Sequence, residues 1–335
     1  MKQCYPCNSG FTGSPYTKKR VNAHMVYDFS STPMYQIIER LKADKSDRLS
    51  FHVLNPDLAS GLYAGETVSL EGQDYIHHSL KAWNALAELL GCRMLMPKIK
   101  SEYLITICYQ RLQSVSSFHT DTIEDETEKY GSLSIFSRIN KLEEPTFAWH
   151  YLHALRAVNT AQRKSILNLG INKGYEFLGI RQMLTTEEFA SIAMTGIDYS
   201  VSAIKKAHTV LPYANITLLC HNINDLDTLQ LPRQDLIISI STLQSPAINT
   251  KVLIMDLVQK TLRTEGALIL GFPNARWSDG ELIYGAKAPN YPYPEMSLLI
   301  KDIYWIKKYL QQHKFRVTIT GKEYLFLTAS RIGIK

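Results

Sequence analysis

The sequence predicts an α/β fold in which a mostly parallel sheet ends in an antiparallel hairpin, with a smaller α+β unit before it. Three observations predict this fold. Strand-like and helix-like segments alternate after residue 165, which is the typical order of a parallel sheet. Residues 236–240 are nearly all apolar, as expected of a strand covered on both faces. Residues 315–319 and 324–328 are two strand-like runs separated by four residues, which indicates a hairpin.

Length and composition limit the class of protein. The chain has 335 residues, enough for two domains, with 45% hydrophobic and 20% charged residues. These values exclude a disordered, collagen-like or disulfide-scaffold chain. We find no apolar run long enough for a transmembrane helix, no apolar core of a secretory signal after Met1, and an odd number of cysteines, five. We therefore expect a cytoplasmic protein with reduced thiols and no membrane partner.

The net charge of +6 is unevenly distributed. Residues 1–160 hold 17 basic and 17 acidic residues, which leaves 20 basic and 14 acidic residues for the rest of the chain. The whole excess lies in the C-terminal half. Such an excess can attract nucleic acid, or it can reflect lysines that keep a surface soluble, and both explanations stay open.

Composition also suggests four segments. Residues 1–25 are polar and lack periodicity, which predicts a flexible leader. In the next segment, helical spacing at 33–41 and 75–90 and strand-like runs at 51–54, 66–70 and 103–109 predict an α+β accessory domain. A serine-rich and then acidic stretch predicts a solvated linker. The predicted segments are a leader 1–25, an accessory domain 26–112, a linker 113–128 and a larger domain 129–335.

In the larger domain the elements follow in regular order. Pro145 suits the first turn of a helix that runs to about residue 158. Apolar runs predict strands at 166–169, 191–197, 216–220, 236–240 and 267–271. Helical spacing predicts helices at 202–210, 251–262 and 300–313.

The ends of these strands carry the candidate chemistry, because ligands of open α/β sheets bind beyond the carboxyl ends. After the first strand come Asn168, Gly170, Asn172 and Gly174. Glycine lacks a Cβ and asparagine tolerates positive φ, so a tight turn and close approach of a ligand are possible. Many folds contain such a loop, so a tight turn without a ligand is equally consistent with it.

The next three strands also end in polar residues. Asp198 could accept hydrogen bonds from both hydroxyls of a ribose, or it could cap the next helix. Asn222 follows the third strand, where an adenine edge would lie. Ser239 and Ser241 stand at the end of the fourth strand.

In order and content these segments resemble the class I S-adenosylmethionine-dependent methyltransferases. The glycine loop, residues 196–200, the Asn222 segment, residues 235–239 and the turn at 262–267 succeed one another as in that family, and the terminal hairpin is shared. The resemblance covers about residues 130–335 and does not extend to residues 1–120. It implies a seven-stranded Rossmann-like methyltransferase sheet and S-adenosylmethionine as cofactor.

The resemblance also implies which residues bind that cofactor. Asn168, Asn172 and Asn222 stand where the family usually has an acidic residue, a glycine and an aspartate, so a carboxylate near the sulfonium is lost. The implied cofactor-binding residues are Asn168, Gly170, Asn172, Gly174, Asp198, Tyr199, Asn222, Ile223 and Ser239.

The segment 272–295 is predicted to cover the substrate. It places aromatic, Asn, Arg and Glu side chains among prolines over a length greater than a connection needs, which is typical of a lid or binding loop. A stiff surface loop is the alternative. We predict substrate contacts from Asn274, Arg276, Trp277 and Tyr284, and from Tyr130 and Arg138 before the sheet. Ser241 and Glu281 are the predicted catalytic residues.

Three functions remain possible from the sequence. The first is a methyltransferase acting on a small molecule enclosed under residues 272–295. The second is an RNA (tRNA) methyltransferase whose basic C-terminal half contacts phosphate. The third is a non-catalytic binding protein that keeps the methyltransferase fold. We expect no metal site, because the Cys4–Cys7 pair and the paired histidines lack further ligands at suitable spacing. The sequence predicts no particular oligomeric state.

Overall fold

A computed structural model gives the fold. It describes residues 26–59, 61–113, 128, 131, 134–286 and 295–333. The predicted leader, most of the predicted linker and Tyr130 lie outside these ranges. The chain divides into two compact units, residues 1–112 and 113–335. The exact domain boundaries stay predictions.

The first unit contains a five-stranded sheet and two helices. Its strand order is β1-β2-β7-β5, with β6 also paired to β7 and a separate β3–β4 hairpin. The strands are β1 (Val26–Asp28), β2 (Arg48–Leu54), β3 (Thr67–Leu70), β4 (Gln73–Ile76), β5 (Cys92–Met94), β6 (Lys98–Ile99) and β7 (Leu104–Arg111), and the helices are α1 (Met34–Ala43) and α2 (Leu80–Leu89).

Aromatic side chains form the centre of this unit. Phe51 of β2 packs against Trp83 of α2 and Tyr109 of β7, with ring centres 5.6 and 5.0 Å away. The Tyr109 hydroxyl donates a hydrogen bond to the Trp83 carbonyl oxygen. Burial raises the pKa of Tyr109, so this hydroxyl stays a donor at neutral pH.

The helix predicted over residues 75–90 is shorter than expected. α2 begins at Leu80, after Ser79, whose hydroxyl accepts a hydrogen bond from the Ala82 N–H. Tyr75 and Ile76 belong instead to β4, which pairs with β3. Both of these residues fit the helical spacing, but the cross-strand hydrogen bonds of the hairpin decide the outcome.

The second unit confirms the predicted fold class. Its seven-stranded sheet has the order β10-β9-β8-β11-β12-β16-β15. The first five of these strands run parallel, whereas β16 is antiparallel to both β12 and β15. The strands are β8 (Ser165–Leu169), β9 (Ala193–Asp198), β10 (Ile216–Cys220), β11 (Gln234–Ile240), β12 (Leu262–Pro273), β15 (Phe315–Gly321) and β16 (Tyr324–Arg331).

Helices cover both faces of this sheet. Alternate residues of β8 show the division, because Ile166 joins a core cluster with Tyr151 and Phe177, whereas Leu167 joins another with Leu257 and Ile306. The helices are α3 (Pro145–Ala157), α4 (Tyr175–Met183), α5 (Thr186–Ala190), α6 (Val201–Val210), α7 (Thr250–Asp256) and α8 (Ser297–Gln312). In the described ranges, none of the helices has the length and apolar character needed to cross a membrane.

Two predictions around the fifth strand are wrong. The helix predicted over 251–262 ends as α7 at Asp256 and continues as a π-helical turn, Leu257–Thr261, and β12 then begins at Leu262 rather than at residue 267. The segment 272–295, predicted as a lid or binding loop, also contains regular structure, the hairpin of β13 (Ala275–Ser278) and β14 (Glu281–Tyr284).

The turn of this hairpin explains why it forms. Asp279 and Gly280 have φ values of +48° and +79°, as a type I′ hairpin turn requires. Asp-Gly is a strong sequence signal for such a turn, and it was available in the sequence. The two strands have only four residues each, so an alternation of apolar and polar residues is too short to be recognised in this proline-containing segment.

We predict that Gly321→Ala destabilises the second unit more than Gly280→Ala does. Both glycines have positive φ, which costs alanine about 1 kcal/mol. A Cβ at Gly321 would lie 1.8 Å from the Tyr324 carbonyl oxygen, whereas at Gly280 it would meet nothing within 4 Å. We expect a loss of about 3 kcal/mol for Gly321→Ala from the added clash. Equilibrium urea unfolding measures both, and equal losses would contradict the described turn.

Candidate cofactor and substrate site

The carboxyl ends of the parallel strands β8 to β12 meet at one edge of the sheet. β8 lies between β9 and β11 in the sheet. The chain therefore continues from β8 to β9 on one side, and the later strands β11 and β12 are added on the other side. A crevice forms at such a reversal of strand order, and it is where ligands of open α/β sheets bind. The predicted site residues that follow β8, β9 and β11 are therefore neighbours.

The loop after β8 is a strained turn held by its surroundings. Gly170, Asn172 and Gly174 have φ values of +75°, +43° and +86°. A Cβ at Gly170 would lie 2.1 Å from the Thr242 hydroxyl oxygen, and one at Gly174 would lie 2.2 Å from a Leu211 methyl carbon. Backbone conformation and packing thus explain both glycines even before a ligand is considered.

Asp198, at the end of β9, fastens this loop to the sheet. Its Oδ2 accepts a hydrogen bond from the Asn172 backbone N–H at 2.9 Å, and its Oδ1 accepts one from the Ser200 N–H at 3.0 Å. The residue is only 6% exposed. Burial raises the pKa of Asp198, and the backbone N–H groups of Ser200, Asn172 and Tyr199 oppose this shift.

The alternative role of Asp198 as a helix cap is filled by another residue. The Ser200 hydroxyl accepts a hydrogen bond from the Ala203 N–H at 3.1 Å and so caps α6. Asp198 therefore acts on the glycine loop, and its carboxylate oxygens keep lone pairs for further donors.

Glu128 is a second carboxylate near Asp198 that the sequence did not reveal. It falls in the predicted solvated linker, yet it is half-buried at the start of α6. It accepts hydrogen bonds from the Ser200 hydroxyl at 3.1 Å and the Ser202 N–H at 3.2 Å, and another from the Ser202 hydroxyl. The charge of Glu128 adds to the rise in the pKa of Asp198.

Asn168 occupies the central position of the crevice. Its side chain is fully buried on β8, and neither its Oδ1 nor its Nδ2 has a hydrogen-bonding partner among the described residues. An unpaired buried amide is costly, so such atoms are normally satisfied by a ligand or an ordered water. This amide can both donate and accept, which suits the amino-acid part of a small ligand.

The other residues predicted to bind cofactor differ in accessibility. The Ser239 hydroxyl is fully buried and donates to the Leu169 carbonyl oxygen at 3.3 Å. Asn222 is exposed, and its Oδ1 accepts a hydrogen bond from the Asn224 N–H at 3.0 Å. Tyr199 is 41% exposed, whereas Ile223 is buried. Tyr199 and Asn222 are thus accessible to solvent at the ends of β9 and β10, whereas the Ser239 hydroxyl is hydrogen-bonded to β8.

Tyr324 and Ser241 lie at the far side of the crevice. Ser241 follows β11 with φ of +57°, a strained conformation for a residue with a side chain. Burial raises the pKa of Tyr324 to about 12, and Glu144 and Glu176 contribute to the rise. At neutral pH the phenol is therefore a neutral donor with carboxylates nearby.

A cationic and an acidic side chain lie together between the glycine loop and Tyr324. Lys141 Nζ lies 5.5 Å from the centre of the Phe136 ring and 5.7 Å from that of Tyr324. Glu176, in the first turn of α4, is buried. Burial lowers the pKa of Lys141 and raises that of Glu176, and the attraction between the two opposes both shifts. Both residues line a cleft that also includes Asn172, Lys173 and Tyr175.

Three more carboxylates surround the turn between β15 and β16. They belong to Glu144, Glu281 and Glu323. Glu323 Oε1 accepts a hydrogen bond from Lys322 Nζ at 2.6 Å. Burial raises the pKa of Glu144, and the charges of Glu323 and Glu281 add to this rise. Asn274 belongs to the same place, because its N–H donates to the Glu323 carbonyl oxygen at 2.6 Å. Only Glu281 and Asn274 of this group are predicted from the sequence, since the other contacts join residues far apart in the chain.

The remaining predicted substrate residues are scattered. Arg276 Nη1 donates to the Gly285 carbonyl oxygen at 3.1 Å, and burial lowers the pKa of its guanidinium. Trp277 is half-buried, Tyr284 is 41% exposed and Arg138 is exposed. The hairpin β13–β14 carries three of these residues, whereas Arg138 belongs to the short 3₁₀ helix Ile135–Arg138.

Sequence comparison supports the class of protein that the fold defines. Residues 161–315 match the family model described as a methyltransferase domain. This match agrees with the methyltransferase domain predicted from the sequence, and residues 1–160 and 316–335 lie outside it. No curated protein matches the sequence.

Several solved structures are similar to parts of the chain. An O-methyltransferase family protein from Burkholderia thailandensis is 12% identical with a TM-score of 0.38, over 60% of this chain and 63% of that protein. A SAM-dependent methyltransferase from Aquifex aeolicus is 14% identical with a TM-score of 0.39, over 58% of this chain and 98% of that one. DhpI, in a complex with SAH, is 14% identical with a TM-score of 0.40, over 62% and 94%.

We predict that the free energy of unfolding of Glu176→Gln falls less than that of the wild type when the pH is raised from 4.5 to 7. Because the folded-state pKa of Glu176 is raised, the folded protein holds the proton more tightly than the unfolded chain. Its contribution to the free energy of unfolding therefore falls as the pH rises above about 4.3, the usual pKa of glutamate. The free energy of the variant minus that of the wild type should increase between pH 4.5 and 7.

Urea unfolding at several pH values within that interval measures this difference. Glu187→Gln, at an exposed position of α5, is the matched control and should show no such trend. A difference for Glu176→Gln that stays constant with pH would contradict the described burial.

Proposed function

We propose that the second unit binds S-adenosylmethionine and transfers its methyl group to a small molecule. One observation carries the proposal. Asp198 and the unpartnered Asn168 amide stand at adjacent strand ends on either side of a glycine loop, within a segment that matches a methyltransferase family model. The cofactor's size and polarity fit these groups, which offer acceptors for hydroxyls and an amide for an amino acid.

Each residue has a distinct part in this proposal. The free lone pairs of Asp198 accept hydrogen bonds from the ribose hydroxyls, and Glu128 lies close enough to add acceptors on the same side. The amide of Asn168 pairs with the amino-acid part. Tyr199, Asn222 and Ile223 lie beside the adenine position. When bound, the cofactor supplies an electrophilic methyl group on a positively charged sulfur.

The chain's own contribution to the reaction is positioning. In-line displacement requires the acceptor atom, the methyl carbon and the sulfur to be held in line with water excluded. Tyr324, Ser241 and Glu144 lie on the side from which an acceptor would approach. A proton acceptor is required only if the attacking atom carries a proton at neutral pH, and Glu144 is half-buried at that place.

A small molecule suits the site better than RNA. The RNA alternative rests on the positive excess of the C-terminal half. The acceptor side, however, has the carboxylates of Glu144, Glu281 and Glu323, which would repel a phosphate backbone. The non-catalytic alternative rests on the three asparagines at positions 168, 172 and 222. It predicts that the chain does not bind the cofactor.

We predict that S-adenosylhomocysteine binds the wild-type chain and that Asp198→Ala weakens the affinity by about 10- to 150-fold. Loss of hydrogen bonds to a charged acceptor costs about 1.5–3 kcal/mol, which corresponds to this range. Calorimetric titration measures it without a methyl acceptor.

Asp235→Ala is the matched control. Asp235 Oδ2 also accepts two backbone hydrogen bonds, from the N–H groups of Lys164 and Ser165 at 2.8 and 3.1 Å, but it lies at the opposite edge of the sheet. Its variant should keep the wild-type affinity. Equal losses in both variants would show a general effect on the fold, and no binding to the wild type at millimolar ligand would favour the non-catalytic alternative.

A further inference from the structure

We propose that the methyl acceptor is an amine, bound as an ammonium ion by the acceptor atoms around the β15–β16 turn and methylated on nitrogen. This inference rests on the proposed methyltransferase function and names its substrate class. The group of residues that would recognise the amine, called the turn cluster below, consists of Glu144, Asn274, Glu281, Glu323 and Tyr324.

The topology places the turn cluster next to the proposed methyl donor. β16 pairs antiparallel with β12, so Tyr324 lies opposite Pro273 at the carboxyl end of β12. Glu144 stands at the N-terminus of α3, and the Tyr324 hydroxyl lies within its electrostatic influence. The cluster thus lies at the same sheet edge as Asn168.

Two buried atoms of the cluster indicate what the ligand must provide. Glu323 is 7% exposed and Asn274 is 1% exposed. Neither Glu323 Oε2 nor Asn274 Oδ1 has a hydrogen bond of normal geometry within the described part of the chain. Both atoms can only accept. A ligand that satisfies them has to bring N–H or O–H donors, and an ammonium ion brings three.

The charges of the cluster select a cation among possible donors. Burial works to raise the pKa of Glu323, but Lys322, which donates to Glu323 Oε1, is the main cause that lowers it, and the net shift is downward, so the carboxylate stays ionised. Lys322 compensates one negative charge and is itself exposed. Lys141, 5.7 Å from the centre of the Tyr324 ring, brings a second positive charge, and the three carboxylates of Glu144, Glu281 and Glu323 still leave the cluster with a net negative charge. A phosphate or carboxylate on the acceptor would be repelled here, whereas an ammonium group would be attracted.

Glu144 also suits the proton transfer that nitrogen methylation requires. A protonated amine has no free lone pair, so it must first give a proton to the chain. Burial and the neighbouring carboxylates raise the pKa of Glu144, which makes it a better proton acceptor than an ordinary glutamate. The nitrogen lone pair then forms the N–C bond while the S–C electron pair leaves with sulfur. The product is a methylated ammonium ion, and Glu144 returns its proton to water, one proton being released overall.

Amines can be compared with alcohols of the same shape to test the charge requirement. The probes are benzylamine, 2-phenylethylamine and 1,4-diaminobutane, each paired with benzyl alcohol, 2-phenylethanol or 1,4-butanediol. Each probe is titrated into the full chain at pH 7, alone and with saturating S-adenosylhomocysteine, and binding is measured by calorimetry. We expect at least one amine to bind ten or more times more tightly than its alcohol.

Variants connect that preference to the cluster. Glu144→Gln and Glu323→Gln should each reduce the preference for the amine at least fivefold, while Glu187→Gln should leave it unchanged. All three variants should keep the wild-type affinity for S-adenosylhomocysteine, which also shows that they fold. Glu144→Gln keeps the test decisive if Glu323→Gln is unstable.

The outcomes separate the two proposals. Binding of S-adenosylhomocysteine with no preference for any amine over its alcohol would overturn the amine inference and leave the methyltransferase function intact. Salt-sensitive binding of bulk tRNA without amine binding would overturn it in favour of RNA. Absence of S-adenosylhomocysteine binding would overturn the proposed function itself.

Discussion

The hydrogen bond from the Asn172 backbone N–H to the Asp198 carboxylate is the interaction on which the rest of the site depends. It joins the end of β9 to the loop that leaves β8, and that loop sets the direction of α4 and the position of Glu176. The carboxylate is nearly fully buried, so its desolvation has to be offset by several N–H donors. A loop with three positive φ values is held by such bonds and by packing, because its own backbone preferences oppose it.

The distribution of charge across the crevice follows from this arrangement. Asn168, next to the last residue of β8, is neutral, so the strand itself brings no negative charge to the crevice. Glu176, in the first turn of the helix that follows the loop, supplies a buried carboxylate nearby, and the charge of Lys141 partly balances it. Further carboxylates lie around the β15–β16 turn. The crevice is thus polar but uncharged at β8, and acidic at α4 and around the β15–β16 turn.

The sequence predicted the parts of the protein that local patterns determine. The apolar run of β11 and the terminal hairpin predicted the sheet, because burial of a strand on both faces leaves a clear apolar pattern, and the order of the motifs predicted the match to a methyltransferase domain. The hairpin at Asp279 and Gly280 was missed, since strands of four residues carry little periodicity. Glu128, Glu323 and Tyr324 could not be predicted, because their place in the site comes from pairing across the sheet and from contacts between residues distant in the chain.

A crystal structure of the chain with S-adenosylhomocysteine tests the central claim most directly. The account predicts the ribose hydroxyls within hydrogen-bonding distance of Asp198, the amino-acid part against the Asn168 amide, and the sulfur facing the side of Tyr324 and Ser241. A ligand bound away from the carboxyl ends of β8 and β9, or with Asn168 still unpartnered beside it, would contradict the account.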